Sequence, residues 1–313
     1  MIPVFGAADV ERAVSPHHAY EAVREAFVAY ALGEWAMPPK VYVSNYPAGD
    51  FRAMPALGGG FALLKWVTSF PGNPVRGLPT VTGLVLLSDA EDGRLLAVLD
   101  AAAVTALRTA AAGVLAAETL QREDAATYAV VGCGVNGAET VRMLLAHGVT
   151  PLVWDLDEWR RRTVAERFGA NLANDAGEAL ACDVVITVTP GAEALYGAGS
   201  LRPGQHVSLM GADGPGKREI AVEELRRARL FCDDWEQAGS KGLGEVGLAA
   251  SAGIIGREDV AELGQVLIGE AEGRRSAVDI TLFDSSGLAI QDLAIAKVAY
   301  ATRDVLDLQT IEL

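Results

Sequence analysis

The sequence predicts an α/β chain of two domains, and three observations point that way. From about residue 127, short apolar strands alternate with helical segments, the pattern of a doubly wound parallel sheet. Between about residues 40 and 100, strand-like runs follow one another without a helix, which implies an antiparallel or mixed sheet and so a separate α+β domain. At the head of the alternating part, "VVGCGVNGAE" sets Gly132, Gly134 and Gly137 in G-x-G-x-x-G spacing between a strand and a helix.

Each element has its own signal. Ser15-Pro16 reads as a helix cap and first helical position, and Ala19, Val23, Phe27 and Tyr30 recur behind it at helical spacing. "KVYVSNY", "FALLKWVTSF", "TVTGLVLLS" and "LLAVLD" are rich in β-branched and aromatic residues, and Asp92-Gly93 marks a hairpin. An Ala-rich helix is expected over about residues 101–121. Then come the strand "TYAVV", the helix "NGAETVRMLLAHG", the strand "PLVWD" and the helix "DEWRRRTVAERFG". "DVVITVT", "HVSLM", "LFCDD" and "DITLFDSS" read as further strands, and the chain ends in a long helical pattern from "GLAIQDLAIAKVAY".

Composition narrows the function. The chain has 313 residues, half of them hydrophobic, enough for about two domains. A net charge of −15 works against binding nucleic acid or anionic membranes. No stretch reaches ~18 uninterrupted apolar residues, so no membrane span is expected. The N-terminal residues lack the basic-then-apolar order of a signal peptide. Cys133, Cys182 and Cys232 are too widely spaced for a disulfide framework or a zinc site, so no metal is expected and reduced, cytoplasmic thiols are. Five lysines stand against 21 arginines, which draws attention to each lysine, although coding bias produces the same imbalance.

The glycine motif has the context it needs to bind a dinucleotide. Gly132 permits the tight turn, Gly134 lets a pyrophosphate approach the backbone, and Gly137 allows close packing of helix on strand. The helix that begins at Val135 and Asn136 offers N–H groups and a positive dipole end. Asp155, at the end of the next strand, can accept both ribose hydroxyls and would repel a 2′-phosphate, which favours NAD over NADP. Arg160, Arg161 and Arg162 either form a solvated helix face or accommodate that phosphate. Ligands of such sheets sit beyond the carboxyl ends of the strands. That places "TVTP" (Thr187, Val188, Thr189), "MGADG" (Met210, Gly211, Ala212, Asp213) and "DSSG" (with Ser285) around a cofactor cleft.

The first domain contributes cations in apolar surroundings: Lys40, Arg52, Lys65 and Arg108. In "FALLKWVTSF", strand alternation puts Leu63, Lys65 and Val67 on one face. If that face is internal, Lys65 must be paired or have its pKa lowered. Converging cations suggest a carboxylate pocket; separate surface salt bridges are the plain alternative. Phe51, Leu57, Phe70 and Leu78 either shape that pocket or belong to the core.

The segments "MPPKVYV", "RAMPAL", "LKWVTSFPGNPVRGLPTV", "ALRTAAAG", "GCGVNG", "MGADGPGKREI" and "DSSGLAIQDLAIAKVAY" resemble the ornithine cyclodeaminase/μ-crystallin family in order along the whole chain, and within it the archaeal-type alanine dehydrogenases. The resemblance implies a substrate-binding and dimerisation domain over residues 1–118 and 288–313, completed by the C-terminal helix. It also implies a Rossmann NAD-binding domain over 119–287, a homodimer and an interdomain active site. It places Lys40, Arg52, Lys65 and Arg108 at the amino-acid carboxylate. Arg108 and Thr109 also reach the cofactor, and Asp213 is the acid/base, with Lys65 as its rival. Where cyclodeaminases carry a glutamate ahead of Met-Pro and a cysteine after the aspartate, this chain has Arg52 and Gly214. Both departures favour a small neutral amino acid over ornithine. The expected function is NAD-dependent oxidative deamination of a small L-amino acid, L-alanine first. The alternatives are cyclodeamination or imine (ketimine) reduction, and a μ-crystallin-like nucleotide-binding protein with little catalysis.

Overall fold

The computed structural model describes residues 1–191, 193–212, 217–239 and 244–313. In chain order the elements of the first part are β1 (Ile2–Phe5), α1 (Ala7–Ala13), α2 (Pro16–Ala31), β2 (Val41–Asn45), β3 (Gly49–Gly58), β4 (Phe61–Ser69), β5 (Val81–Asp89), β6 (Leu95–Asp100) and α3 (Ala101–Leu120). The alternating part holds β7 (Tyr128–Val131), α4 (Val135–Ala146), β8 (Leu152–Trp154), α5 (Glu158–Phe168), β9 (Asn171–Leu172), α6 (Ala176–Leu180) and β10 (Val184–Thr187). It continues through β11 (His206–Leu209), α7 (Val222–Leu225), β12 (Arg229–Cys232), α8 (Gly244–Ser251), β13 (Val260–Glu262), α9 (Leu263–Leu267) and β14 (Thr281–Asp284). The chain closes with α10 (Ala289–Ala301) and β15 (Gln309–Ile311). The chain divides into two compact units, residues 1–108 with 288–313 and residues 109–287. The division falls inside α3, ten residues before the boundary expected at 118, between the neighbours Arg108 and Thr109.

The first unit is a seven-stranded mixed sheet in the order β15-β1-β6-β5-β4-β3-β2. Strands β2 to β6 run antiparallel, while β1 joins β6 in parallel and β15 in antiparallel fashion. The period of two sorts the side chains. Asp50, Arg52, Met54 and Ala56 of β3 are buried, as are Leu63, Lys65 and Val67 of β4. Register sets Met54 beside Lys65 and Lys65 beside Val85. Helix α10 packs on this inner face, against β3, β4 and β5, and also against α2. Ser15 caps α2, its Oγ accepting from the His18 N–H at 3.2 Å, and Val23 and Phe27 on the helix are buried. Each fully buried side chain of this kind contributes about 1.5–3 kcal/mol.

The second unit is an eight-stranded sheet, β13-β12-β14-β11-β10-β7-β8-β9, with every recorded pairing parallel. The order reverses between β7 and β10, which is where ligands bind in such sheets. Its central strands are buried on both faces, as their continuous apolar runs require. His206 opens β11 at the opposite end. It is fully buried between Thr281 Oγ1 (2.9 Å) and Ser208 Oγ (3.0 Å), and burial pushes its pKa down to about 3, so the ring is neutral and structural. The three cysteines are free and buried. Among the described residues one helix, α3, is long and apolar enough to cross a membrane, and most of it is buried.

Candidate active site

The glycine turn of the second unit has the geometry its spacing predicts. Gly132 adopts φ +101°, and its N–H donates to Trp154 O at 2.8 Å, tying β7 to β8. A Cβ on Gly132 would lie 2.6 Å from Val188 O, so the segment after β10 packs directly on the turn. A Cβ on Gly137 would lie 1.8 Å from Gly132 O, the close helix–strand approach that only glycine allows. Gly134 differs. It caps α4 at φ −74°, and among the described residues no atom beyond its own helix and chain neighbours lies within 4 Å of where its Cβ would be. Val135 and Asn136 form the first turn of α4, and Val135 is exposed. An open glycine at a helix N-terminus suits an approaching phosphate.

Asp155 follows β8. Its Oδ2 accepts the Cys133 N–H at 2.6 Å and its Oδ1 the Asp157 N–H at 2.8 Å, so the carboxylate is fixed beside the glycine turn. Burial pushes the Cys133 thiol up to about 12, which keeps it unreactive. Of the three arginines on α5, Arg160 pairs with Asp157 (3.4 Å) and Arg162 with Glu158 (2.8 Å). Arg161 donates to the Asp155 carbonyl at 3.3 Å. Thr109 Oγ1 is buried and finds no hydrogen-bond partner among the described residues. An orphaned hydroxyl, an open glycine and a fixed carboxylate fit a dinucleotide.

The remaining cofactor candidates lie at the carboxyl ends of β10, β11 and β14. Thr187 Oγ1 donates to Ser208 O (3.4 Å), Val188 N–H to Val131 O (2.8 Å) and Met210 N–H to Thr187 O (2.9 Å). The donors of Thr189 and Gly211 are turned inward, onto Glu219. Ser285 Oγ donates to Asp233 Oδ2 at 3.0 Å. Ala212 is buried. Asp213, the expected acid/base, and Gly214 lie outside the described residues, as does Lys241; Lys217 is half-buried.

In the first unit Lys65 and Arg108 meet at a carboxylate that sequence reasoning missed. Lys65 is 1% exposed, and its Nζ lies 2.7 Å from Oδ2 of Asp292 on α10. Arg108 Nε lies 3.4 Å from Oδ1 of the same residue, and Thr105 Oγ1 is 3.3 Å from Lys65 Nζ. Burial lowers the Lys65 pKa to about 8; Asp292 pulls it up, while Arg108 and Arg52 push it down. Asp292 is fully buried. Among the described residues one carboxylate thus faces two cations, and these three side chains carry a net positive charge, with Lys65 and Asp292 buried and Arg108 partly exposed. An uncompensated buried charge is costly, and a ligand carboxylate would relieve it.

Arg52 has a partner of its own. Its Nε donates to Asp50 Oδ1 at 2.6 Å, its guanidinium lies over the Tyr42 ring (5.3 Å), and Tyr46 Oη donates to Asp50 Oδ2 at 2.8 Å. Lys40 is buried one residue before β2. Phe51 and Leu57 alternate with this set and point to the sheet's other face. Phe51 stacks there on Trp66 (5.7 Å) and meets Phe70 edge-on (5.4 Å), while Leu57 is exposed. They line neither the cation group nor the core.

The ornithine cyclodeaminase/mu-crystallin family matches residues 3–304. The chain belongs to that family. An alanine dehydrogenase of Archaeoglobus fulgidus is 44% identical over 305 residues, covering 93% of this chain and 92% of that one. A solved archaeal alanine dehydrogenase dimer with bound NAD superposes with a TM-score of 0.93 at 42% identity, covering 99% of each chain. Family breadth shows in a Δ1-pyrroline-2-carboxylate reductase of Thermococcus litoralis, solved with NADH and L-proline. It is 27% identical with a TM-score of 0.91, covering 99% of this chain and 100% of that one.

Proposed function

We propose that the protein is an NAD-dependent dehydrogenase that oxidatively deaminates a small neutral L-amino acid, with L-alanine giving pyruvate and ammonia. The observation that carries this reading is the Lys65–Asp292–Arg108 group, whose excess positive charge suits an amino-acid carboxylate. The likeness to alanine dehydrogenases over nearly the whole chain supports it. Asp50 sharpens the choice of side chain. It already neutralises Arg52, so it is not free to compensate a second ammonium on ornithine or lysine for its lost hydration.

The roles follow. Gly132, Gly134, Val135, Asn136 and Gly137 would hold the pyrophosphate and Asp155 the ribose. The pairing of Arg160 and Arg162 with their own helix favours NAD over NADP. When bound, NAD supplies the acceptor for the hydride of the substrate Cα. Lys65 and Arg108 hold the substrate carboxylate, with Lys40 and Arg52 completing the set of cations. Asp213 takes and returns the protons exchanged by the amine and by the water that replaces it. Its substitution by Asn should leave NAD binding intact and slow turnover.

The assay is NADH formation from L-alanine and NAD, with the reverse reaction from pyruvate, ammonia and NADH. Absence of both, with activity on no other small amino acid, would overturn the reading. The second reading is reduction of a cyclic imine, favoured by the pyrroline-carboxylate reductase neighbour. It requires NADH consumption with Δ1-pyrroline-2-carboxylate and none with pyruvate and ammonia. A homodimer is part of the proposal. The outer face of the first sheet exposes Val41, Val43, Trp66 and Leu84 side by side, and the archaeal structure is a dimer.

A further inference from the structure

We infer that Glu219 is a positioning residue of the nucleotide site, holding the segments after β10 and β11 in one fixed arrangement. Glu219 is fully buried. Its Oε1 accepts the Thr189 N–H at 2.9 Å and the Thr189 hydroxyl at 2.8 Å, and its Oε2 accepts the Gly211 N–H at 2.8 Å. One carboxylate therefore ties together two segments that leave adjacent parallel strands at the switch side of the sheet. Neither segment belongs to a regular element, so without this tie their backbone donors would lose their partner, with the Gly211 N–H buried and the Thr189 N–H half-buried. The approach is close: a Cβ on Gly211 would lie 2.0 Å from Thr189 O and 2.6 Å from Glu219 Oε1.

Glu219 is itself held by a series of carboxylates. The Glu219 N–H donates to Glu245 Oε1, and the Ile220 N–H donates to the same oxygen at 3.3 Å. Glu245 stands in the first turn of α8, whose Val246 N–H donates to Asp284 Oδ2 at 2.8 Å. Gly244 opens that helix at φ +71°, with Asp284 Oδ2 only 2.5 Å from where a Cβ would be. The series runs from the end of β14, through α8, to the ends of β10 and β11. Buried carboxylates that accept several backbone N–H groups fix loop geometry more firmly than van der Waals packing does. This inference rests on the nucleotide reading of the second unit. It extends that reading to a residue that touches neither cofactor nor substrate and acts through Thr189 and Gly211.

Glu219→Gln tests it, because an amide keeps the volume but must turn its NH2 toward an N–H donor on one side. NAD affinity is measured by calorimetry and kinetics by NADH formation, for the whole protein. We expect the NAD dissociation constant and KM to rise at least tenfold, with the KM for L-alanine changed less than threefold. Thr189→Ala, which removes one of the three bonds, should raise the NAD KM severalfold and serves if Glu219→Gln does not fold. A variant that loses only thermal stability or active fraction, at unchanged NAD affinity, overturns the inference while wild-type NAD binding stands. Failure of the wild type to bind NAD overturns the nucleotide reading itself.

Discussion

Asp292 Oδ2 sits 2.7 Å from Lys65 Nζ, joining the C-terminal helix α10 to the centre of the first sheet through a fully buried ion pair. The same carboxylate reaches Arg108 on α3. A single residue therefore touches both Lys65 and Arg108, the cations proposed to hold the substrate carboxylate, and raises the pKa of Lys65 against the effect of burial.

The pH dependence follows from the sign of that coupling. Lys65 has a pKa of about 8, lowered by burial and partly restored by Asp292. As pH rises through 8 the ammonium is lost, and the KM for L-alanine should rise while NAD affinity stays flat. In Asp292→Asn the restoring charge is gone, so the rise in KM should begin at lower pH. At neutral pH kcat/KM should fall by about tenfold or more, equivalent to ~1.4 kcal/mol. Initial rates from pH 6 to 9.5 for both proteins decide it, and superimposable profiles would exclude the coupling.

Much of this was legible in the sequence and some was not. Strand alternation identified Lys65 as an inward cation, because a period of two leaves no other choice once Leu63 and Val67 face the core. The shape of the glycine turn and the place of Asp155 beside it were legible because both are set by local sequence. Asp292 was not, because its partners come from a distant strand and from α3. Its signal was there to find: "AIQDLAIAKVAY" is apolar almost all round, so an aspartate within it must be buried and paired. Asp50 and Glu219 escaped for a similar reason. Each stands in a segment whose own pattern explains it as strand or turn, and only the folded chain shows which donors it receives.

Glu245 should leave a trace in stability. Burial and the neighbouring Glu219 push its carboxyl up to about 7, while backbone donors and Arg218 pull it down. A carboxyl raised on folding contributes stability that is fully present below its unfolded pKa of about 4.5 and lost as pH rises through 7. Glu245→Gln cannot titrate. Its unfolding free energy should be lower than that of the wild type at pH 5, and the gap should narrow toward pH 8 by about 3 kcal/mol. A constant gap from pH 5 to 8 would rule this out.

The outer face of the first sheet makes a prediction about assembly. Trp66 is 42% exposed and Leu84 51%, and they are cross-strand neighbours on a face that also carries Val41, Val43, Phe51, Ala53, Thr68 and Thr82. Trp66→Asp places a charge in the middle of it without touching Lys65, which points the other way. Light scattering should show a dimer for the wild type and a monomer for the variant. A wild-type monomer, or a variant dimer of unchanged affinity, contradicts the assignment of this face.

Gly134 offers the cleanest separation of binding from folding. Gly137→Ala would force a methyl against Gly132 O and should destabilise the turn whether or not a nucleotide binds there. At Gly134 the backbone is ordinary, φ −74°, and the space is open. Gly134→Ala should therefore cost at most ~1 kcal/mol, the difference between the two residues as a helix cap. A phosphate approaching the first turn of α4 would meet the new methyl, so NAD affinity should fall at least tenfold. Thermal unfolding and calorimetry on the same sample give both numbers. Unchanged NAD affinity would mean that the pyrophosphate does not lie against this glycine, and the nucleotide would then have to enter the sheet edge by another route.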